Sequence, residues 1–121
     1  MAMVLIIEDS PTELHVMQKA LRKHGFETVT AEDGDEGIRK ARELKPDLIL
    51  MDIVMPGVNG FQATRKLSND PETAGIPIIM VTTKGQETDR IWGMRQGAVD
   101  YLIKPFDDDK LVSMARSVLE R

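Results

Sequence analysis

The 121-residue sequence predicts an α/β fold built on a five-stranded parallel sheet. Three observations carry this. Short, mostly apolar runs alternate strictly with longer segments of helical character, the pattern of a chain that crosses back repeatedly to one sheet. The short runs are apolar at nearly every position, which suits strands covered on both faces. The longer segments begin and end on residues that cap or break helices.

Val4–Ile7 is the first strand-like run. Ser10-Pro11-Thr12-Glu13 opens the first helix with an N-cap serine, a proline at the first helical position and a glutamate three residues after the cap. This helix is expected to reach His24 and stop at Gly25. Thr28–Ala31 is the second run. Asp33-Gly34-Asp35-Glu36 starts a second helix, which Pro46 ends by disfavouring helical geometry at Lys45. Leu48–Met51 is the third run, and Asn59-Gly60-Phe61-Gln62 starts a third helix with Phe61, Thr64, Leu67 and Ser68 on one face. Ile78–Val81 precedes a fourth helix that follows Thr83. Tyr101–Ile103 precedes a fifth, from about Asp107, with Leu111, Met114, Ala115, Val118 and Leu119 at helical spacing. The chain is too short for two nucleotide-binding halves. One sheet in the flavodoxin-like order 2-1-3-4-5, with helices on both faces, is the economical arrangement.

Composition narrows the function classes. With no cysteine, the chain has no disulfide, thiolate metal site or thiol nucleophile. The formal net charge is −4 with acids and bases interleaved, so there is no basic stripe of the kind that binds nucleic acid. The acidic pair Glu8-Asp9 comes too early for a signal peptide, and no apolar run approaches the ~20 residues needed to span a bilayer. These features read as a cytoplasmic protein without membrane insertion. Residues 1–121 read as a single domain.

Ligands of such sheets bind beyond the carboxyl ends of the strands, where strand order reverses. Glu8 and Asp9 follow the first strand there, Asp52 the third, Thr82 the fourth and Lys104 the fifth. Taken singly, Glu8 and Asp9 fit a turn, Thr82 a helix cap and Lys104 a surface charge. Asp52 resists such a reading because it interrupts Leu48–Met51 and Ile53-Val54-Met55, where an ionised carboxylate loses water. At ~4 Å, each like-charged pair costs about 4 kcal/mol at an effective dielectric of 20, and Lys104 offsets only part of that. A divalent cation would offset the rest. Carboxylates without histidine or cysteine point to a hard ion, and an open ligand set suits Mg²⁺ better than Ca²⁺. An EF-hand at Asp33–Gly37 fails, since Ile38 and Leu44 stand where glycine and glutamate are needed. His15 and His24 lie nine residues apart and do not pair. A carboxylate nucleophile, a metal, an ammonium and a hydroxyl are also the parts of a phosphoryl-transfer site.

These residues carry a resemblance. Glu8-Asp9, Asp52 followed by Met55-Pro56-Gly57 and Gly60, Thr82, and Lys104-Pro105 together resemble the receiver domain of bacterial two-component response regulators. The likeness covers the whole chain. More narrowly, Met51–Thr64 and Val81–Phe106 are similar to single-domain regulators of type IV pilus twitching motility. The resemblance implies that Asp52 is the phosphoacceptor and that Thr82 and Lys104 bind the phosphoryl oxygens. It implies Mg²⁺ held directly by Asp9, Asp52 and the Val54 backbone carbonyl, with Glu8 acting through water. It also implies that Tyr101 is the switch aromatic and that Lys104-Pro105 is cis, although X-Pro bonds are mostly trans. Expected partners are a chemotaxis-like histidine kinase and an effector or phosphatase protein. The expected output face is Gln86–Arg95 with Asp100–Ser117, and no output domain is expected.

Competing readings are weaker. An aspartyl-phosphate phosphatase or phosphotransferase would need a second aspartate two residues after the nucleophile, where Val54 stands. A flavin module would need a phosphate-cradling loop after the first strand, where Glu8-Asp9 would repel the phosphate. The chain is therefore read as no enzyme beyond its own phosphorylation and dephosphorylation, with no organic cofactor. A phosphate sink draining a shared kinase is the alternative within the family. Apolar Val54, with Lys84 placed to shield the phosphoryl group, leads to an expectation of slow self-hydrolysis.

Overall fold

The computed structural model describes residues 1–83 and 87–121. Strands β1 (Met3–Ile7), β2 (Glu27–Ala31), β3 (Leu48–Asp52), β4 (Ile78–Thr82) and β5 (Asp100–Ile103) alternate with helices α1 (Pro11–Lys23), α2 (Gly34–Leu44), α3 (Gly60–Asn69), α4 (Glu87–Gln96) and α5 (Asp108–Leu119). All pairings are parallel and the strand order is β2-β1-β3-β4-β5, as the alternation predicts.

Side chains alternate across the sheet and build two cores. Val4, Ile6, Leu48, Leu50, Ile79, Val81 and Leu102 pack beneath α1 and α5 with Met17, Leu21, Leu111 and Val112. Leu5, Ile7, Ile49, Met51, Ile78 and Met80 face the other way, with Ala41 of α2 and Ala63 and Leu67 of α3. Leu50 is fully buried, and truncating such a side chain to alanine costs about 2–5 kcal/mol. Met17, Met51, Met55 and Met80 are buried as core filler. The inference that strands are covered on both faces fails at both edges, at β5, where Tyr101 is half-buried and Ile103 exposed, and at β2. Its residues 28–30 are only half-buried, because it lies at the edge.

Caps explain where helices start. Asp33, Asn59 and Asp107 each accept a backbone N–H from three residues ahead. Asn59 and Gln62 complete a reciprocal capping box. The box anticipated at Ser10 and Glu13 does not close. Glu13 N–H donates to Ser10 Oγ at 3.4 Å, but the Ser10 N–H donates to Glu8 Oε2 at 3.2 Å instead.

Candidate phosphoacceptor site

The sheet delivers the site residues through its register. Glu8 N–H donates to the Ala31 carbonyl at 3.0 Å and Lys104 N–H to the Thr82 carbonyl at 2.8 Å, so both ladders run one residue past the strands. Along β1, β3 and β5, the residues at even positions (Ile6, Leu50, Leu102) face α1 and α5. Extending that alternation puts Glu8, Asp52 and Lys104 on this side of the sheet edge. On β4 the parity is reversed: Met80 belongs to the opposite core, as does Tyr101 of β5. Thr82 therefore shares its side with Tyr101.

Glu8, Asp9 and Asp52 bring one carboxylate oxygen each within 4.8 Å of one another. Glu8 and Asp52 are buried, whereas Asp9 is exposed. Lys104 Nζ donates to Glu8 Oε1 at 2.5 Å and to Glu13 Oε2 at 2.8 Å. It stands 3.6 Å from Asp52 Oδ1, an ion pair without a direct hydrogen bond. The Lys104–Pro105 peptide is cis.

The electrostatics follow from this crowding. Burial pushes the Glu8 carboxyl up to about 7, against the lowering effect of hydrogen bonds from Lys104 and the Ser10 N–H. Burial likewise raises Asp52, opposed by the Lys104 charge. Burial alone would lower the Lys104 ammonium, but its hydrogen bonds to Glu13 and Glu8 and the nearby Asp52 charge raise it on balance. Three carboxylates around a cleft with one ammonium are short of positive charge. The donor set is all oxygen, partly exposed through Asp9, and so fits a hard, partly hydrated cation such as Mg²⁺.

The loop after β3 is fixed by its glycines. Gly57 has φ +73°, a conformation side chains disfavour. Gly60 N–H donates to the Ile53 carbonyl at 2.8 Å, and a Cβ on Gly60 would lie 2.2 Å from the Asp52 carbonyl oxygen. Only glycine lets α3 begin this close behind Asp52. The Val54 side chain is exposed in this loop.

The structure thus gathers Glu8, Asp9, Asp52 and Lys104, and buries Thr82 completely at the end of β4. Tyr101 is half-buried against the core under α3, and burial, with the Asp89 charge, pushes its phenol up to about 12. Lys84, expected to shield the phosphoryl group, and Gln86, the start of the expected output face, lie outside the described residues. Sequence reasoning missed Glu13. Its position fits a capping box, and nothing in local spacing links it to Lys104, 91 positions away. No described helix is long and apolar enough to cross a membrane.

Comparison with known proteins agrees with this geometry. Residues 4–116 match the response regulator receiver domain. The chain is 56% identical to Protein PilH of Pseudomonas aeruginosa, over 98% of each chain. It is 40% identical to the transcriptional regulator RpaA of Synechocystis, but spans only 50% of that longer protein. Among solved structures, the chemotaxis protein CheY4 of Vibrio cholerae superposes with a TM-score of 0.93 at 31% identity, covering 98% of both chains. The receiver domain of a Pseudomonas aeruginosa sensor histidine kinase, with a magnesium ion coordinated in its active-site cleft, gives 0.92 at 30% identity, covering 99% of this chain and 98% of that one. A family match over residues 4–116, with 56% identity to one relative across 98% of both chains, makes this protein a member of the response regulator receiver domain family.

Proposed function

We propose that the chain is a phosphoacceptor switch: Asp52 takes a phosphoryl group from a histidine kinase, Mg²⁺ assists, and the surface around α4, β5 and α5 changes in response. The observation that carries this is the placement of an ammonium 3.6 Å from a buried aspartate that shares its cleft with two further carboxylates. An ionised Asp52 oxygen attacks phosphorus directly. The Oδ–P bond forms as the bond from phosphorus to the donor's nitrogen or oxygen breaks, and the leaving group keeps the electron pair. No proton has to leave the nucleophile, so no general base is needed. Lys104 favours the ionised form of Asp52 against burial and then pairs with a phosphoryl oxygen.

Asp9 and Asp52, with the Val54 carbonyl, would hold the ion directly, and Glu8 would act through water. When bound, Mg²⁺ supplies charge neutralisation at the phosphoryl oxygens. The magnesium ion coordinated in the related kinase receiver domain supports this assignment. Thr82 would donate its hydroxyl to the phosphoryl group, and Tyr101, on the same side of the sheet, would answer by turning inward. The exposed Ile91, Trp92, Met94 and Ile103 give the responding surface an apolar character suited to a protein partner. The likeness to Protein PilH over 98% of both chains supports a role in type IV pilus motility under a chemotaxis-like kinase. Exposed, apolar Val54 has no group to orient an attacking water. It favours a long-lived phosphoryl group, reset by a partner, over a self-draining phosphate sink.

The test is mass spectrometry after incubation with acetyl phosphate and Mg²⁺. One added phosphoryl group should map to Asp52, require Mg²⁺ and vanish in Asp52→Asn. Undiminished labelling of Asp52→Asn would overturn the assignment.

A further inference from the structure

We propose that Glu13 is a positioning residue that acts on the site through Lys104, retaining the ammonium as a competing anion until a phosphoryl group draws it away. This rests on Asp52 being the phosphoacceptor and adds a determinant of how readily it is charged. In the resting chain the reaction's cation is held by carboxylates other than the nucleophile: Glu8 at 2.5 Å and Glu13 at 2.8 Å, against 3.6 Å to Asp52.

The way Glu13 comes to be there is informative. Three residues after the Ser10 cap, its carboxylate is placed to accept the Ser10 N–H and close a capping box, as Gln62 does at Asn59. That N–H goes to Glu8 instead, and the Glu13 side chain reaches across from α1 to the loop after β5. The helix start thus forgoes a local bond while the cleft gains a long-range one.

Burial separates Glu13 from the other two acids that pair with Lys104. The side chains of Glu8 and Asp52 are 1% and 8% exposed and that of Lys104 is 10% exposed, but that of Glu13 is 44% exposed. Water can replace Glu13 without leaving a buried group unpaired, so its removal is structurally mild. Glu13 is also absent from the three-carboxylate cluster that fits a cation. Its charge therefore stays free to compete when a cation neutralises the others. It opposes an anionic donor twice, by repelling it and by holding back the ammonium that would bind it.

Purified chain is titrated with acetyl phosphate at fixed Mg²⁺, and the half-saturating concentration is separated from the limiting rate of Asp52 labelling. Glu13→Gln should lower the half-saturating concentration roughly threefold to tenfold, the range for a partly exposed charge pair, with the limiting rate changed less than about twofold. Glu13→Asp, charged but one methylene shorter, should give a smaller shift in the same direction. A purely structural residue would instead lower the unfolding midpoint and leave half-saturation alone. If the wild-type chain is not labelled on Asp52, the phosphoacceptor reading itself fails. If it is labelled and both variants match it or need more donor, Glu13 is an ordinary surface charge and the inference is overturned. Should Glu13→Gln not fold, Glu13→Asp alone decides by the same criterion.

Discussion

Gly93 of α4 lies against Tyr101 of β5: a methyl group on Gly93 would stand 4.0 Å from the Tyr101 ring and 3.3 Å from the Met80 side chain. The aromatic proposed to move is therefore packed beside the weakest point of its neighbouring helix. An interior glycine costs a helix about 1 kcal/mol relative to alanine. Gly93 is also the only one of the residues 87–96 that is buried.

Helix α4 should accordingly open before α1. Amide hydrogen exchange across Glu87–Gln96 should run faster than across Pro11–Lys23, whose Met17, Ala20 and Leu21 are buried. Gly93→Ala should slow α4 exchange by roughly fivefold, the flexible Met80 thioether giving way to the new methyl. Faster exchange in α1 than in α4 would contradict this.

The unliganded fold should be more stable in mild acid. Glu8 has a folded value of about 7 against an ordinary 4.5. A raised folded value means that the folded chain binds the proton more tightly. The contribution is full below the unfolded value and is lost as pH rises through about 7. Asp52 is shifted in the same direction. Without divalent cations, the urea midpoint should rise as pH falls from about 8 to about 6, and Glu8→Gln should flatten the slope. Millimolar Mg²⁺ should flatten it too, because the cation favours the deprotonated acids. A midpoint independent of Mg²⁺ at pH 8 would argue against cation binding here.

Gly60→Ala should destabilise the chain by about 1–3 kcal/mol, as overpacking against backbone does. Its Cβ would lie 2.2 Å from the Asp52 carbonyl oxygen and 2.7 Å from Ile53 Cα. Chemical denaturation gives the loss. A variant as stable as wild type would mean that the loop after β3 yields more easily than its hydrogen bond to Ile53 implies.

Tyr101 is the only tyrosine in the chain, so absorbance near 295 nm reports its ionisation alone. Its midpoint should lie near 12, raised chiefly by burial and then by Asp89. Stability tied to the neutral phenol should be present below the unfolded value of 10 and fall away as pH climbs through 12. Asp89→Asn should bring the midpoint down. A normal midpoint in the folded chain would show the ring to be solvated.

Most of the architecture was legible because its causes are local. Apolar runs announce the strands, and Asp33, Asn59 and Asp107 cap their helices as such residues do in isolation. The carboxyl-edge rule then brings Glu8, Asp9, Asp52 and Lys104 together without any knowledge of distances. What escaped was long-range competition. Ser10 has one N–H and two acids within reach, and the winner depends on where Lys104 arrives from β5. The partial exposure of β2 was implied by the predicted order 2-1-3-4-5, which puts that strand at an edge, but reading all the short runs as covered on both faces passed over it.

Alternation along the strands has a consequence for how the molecule can vary. Glu13 and Lys104 lie on the α1 side, where charge is proposed to set how much donor half-saturates the aspartate, while Thr82 and Tyr101 lie on the opposite face of the sheet. Buried aliphatic side chains of the sheet separate these two sets of residues, although α5 of the proposed responding surface packs on the α1 side. Changes in one layer should then leave the other untuned. Glu13→Gln combined with Gly93→Ala should give free-energy effects that add to within about 0.5 kcal/mol. Donor affinity at the aspartate and the stability of α4 should then be adjustable separately.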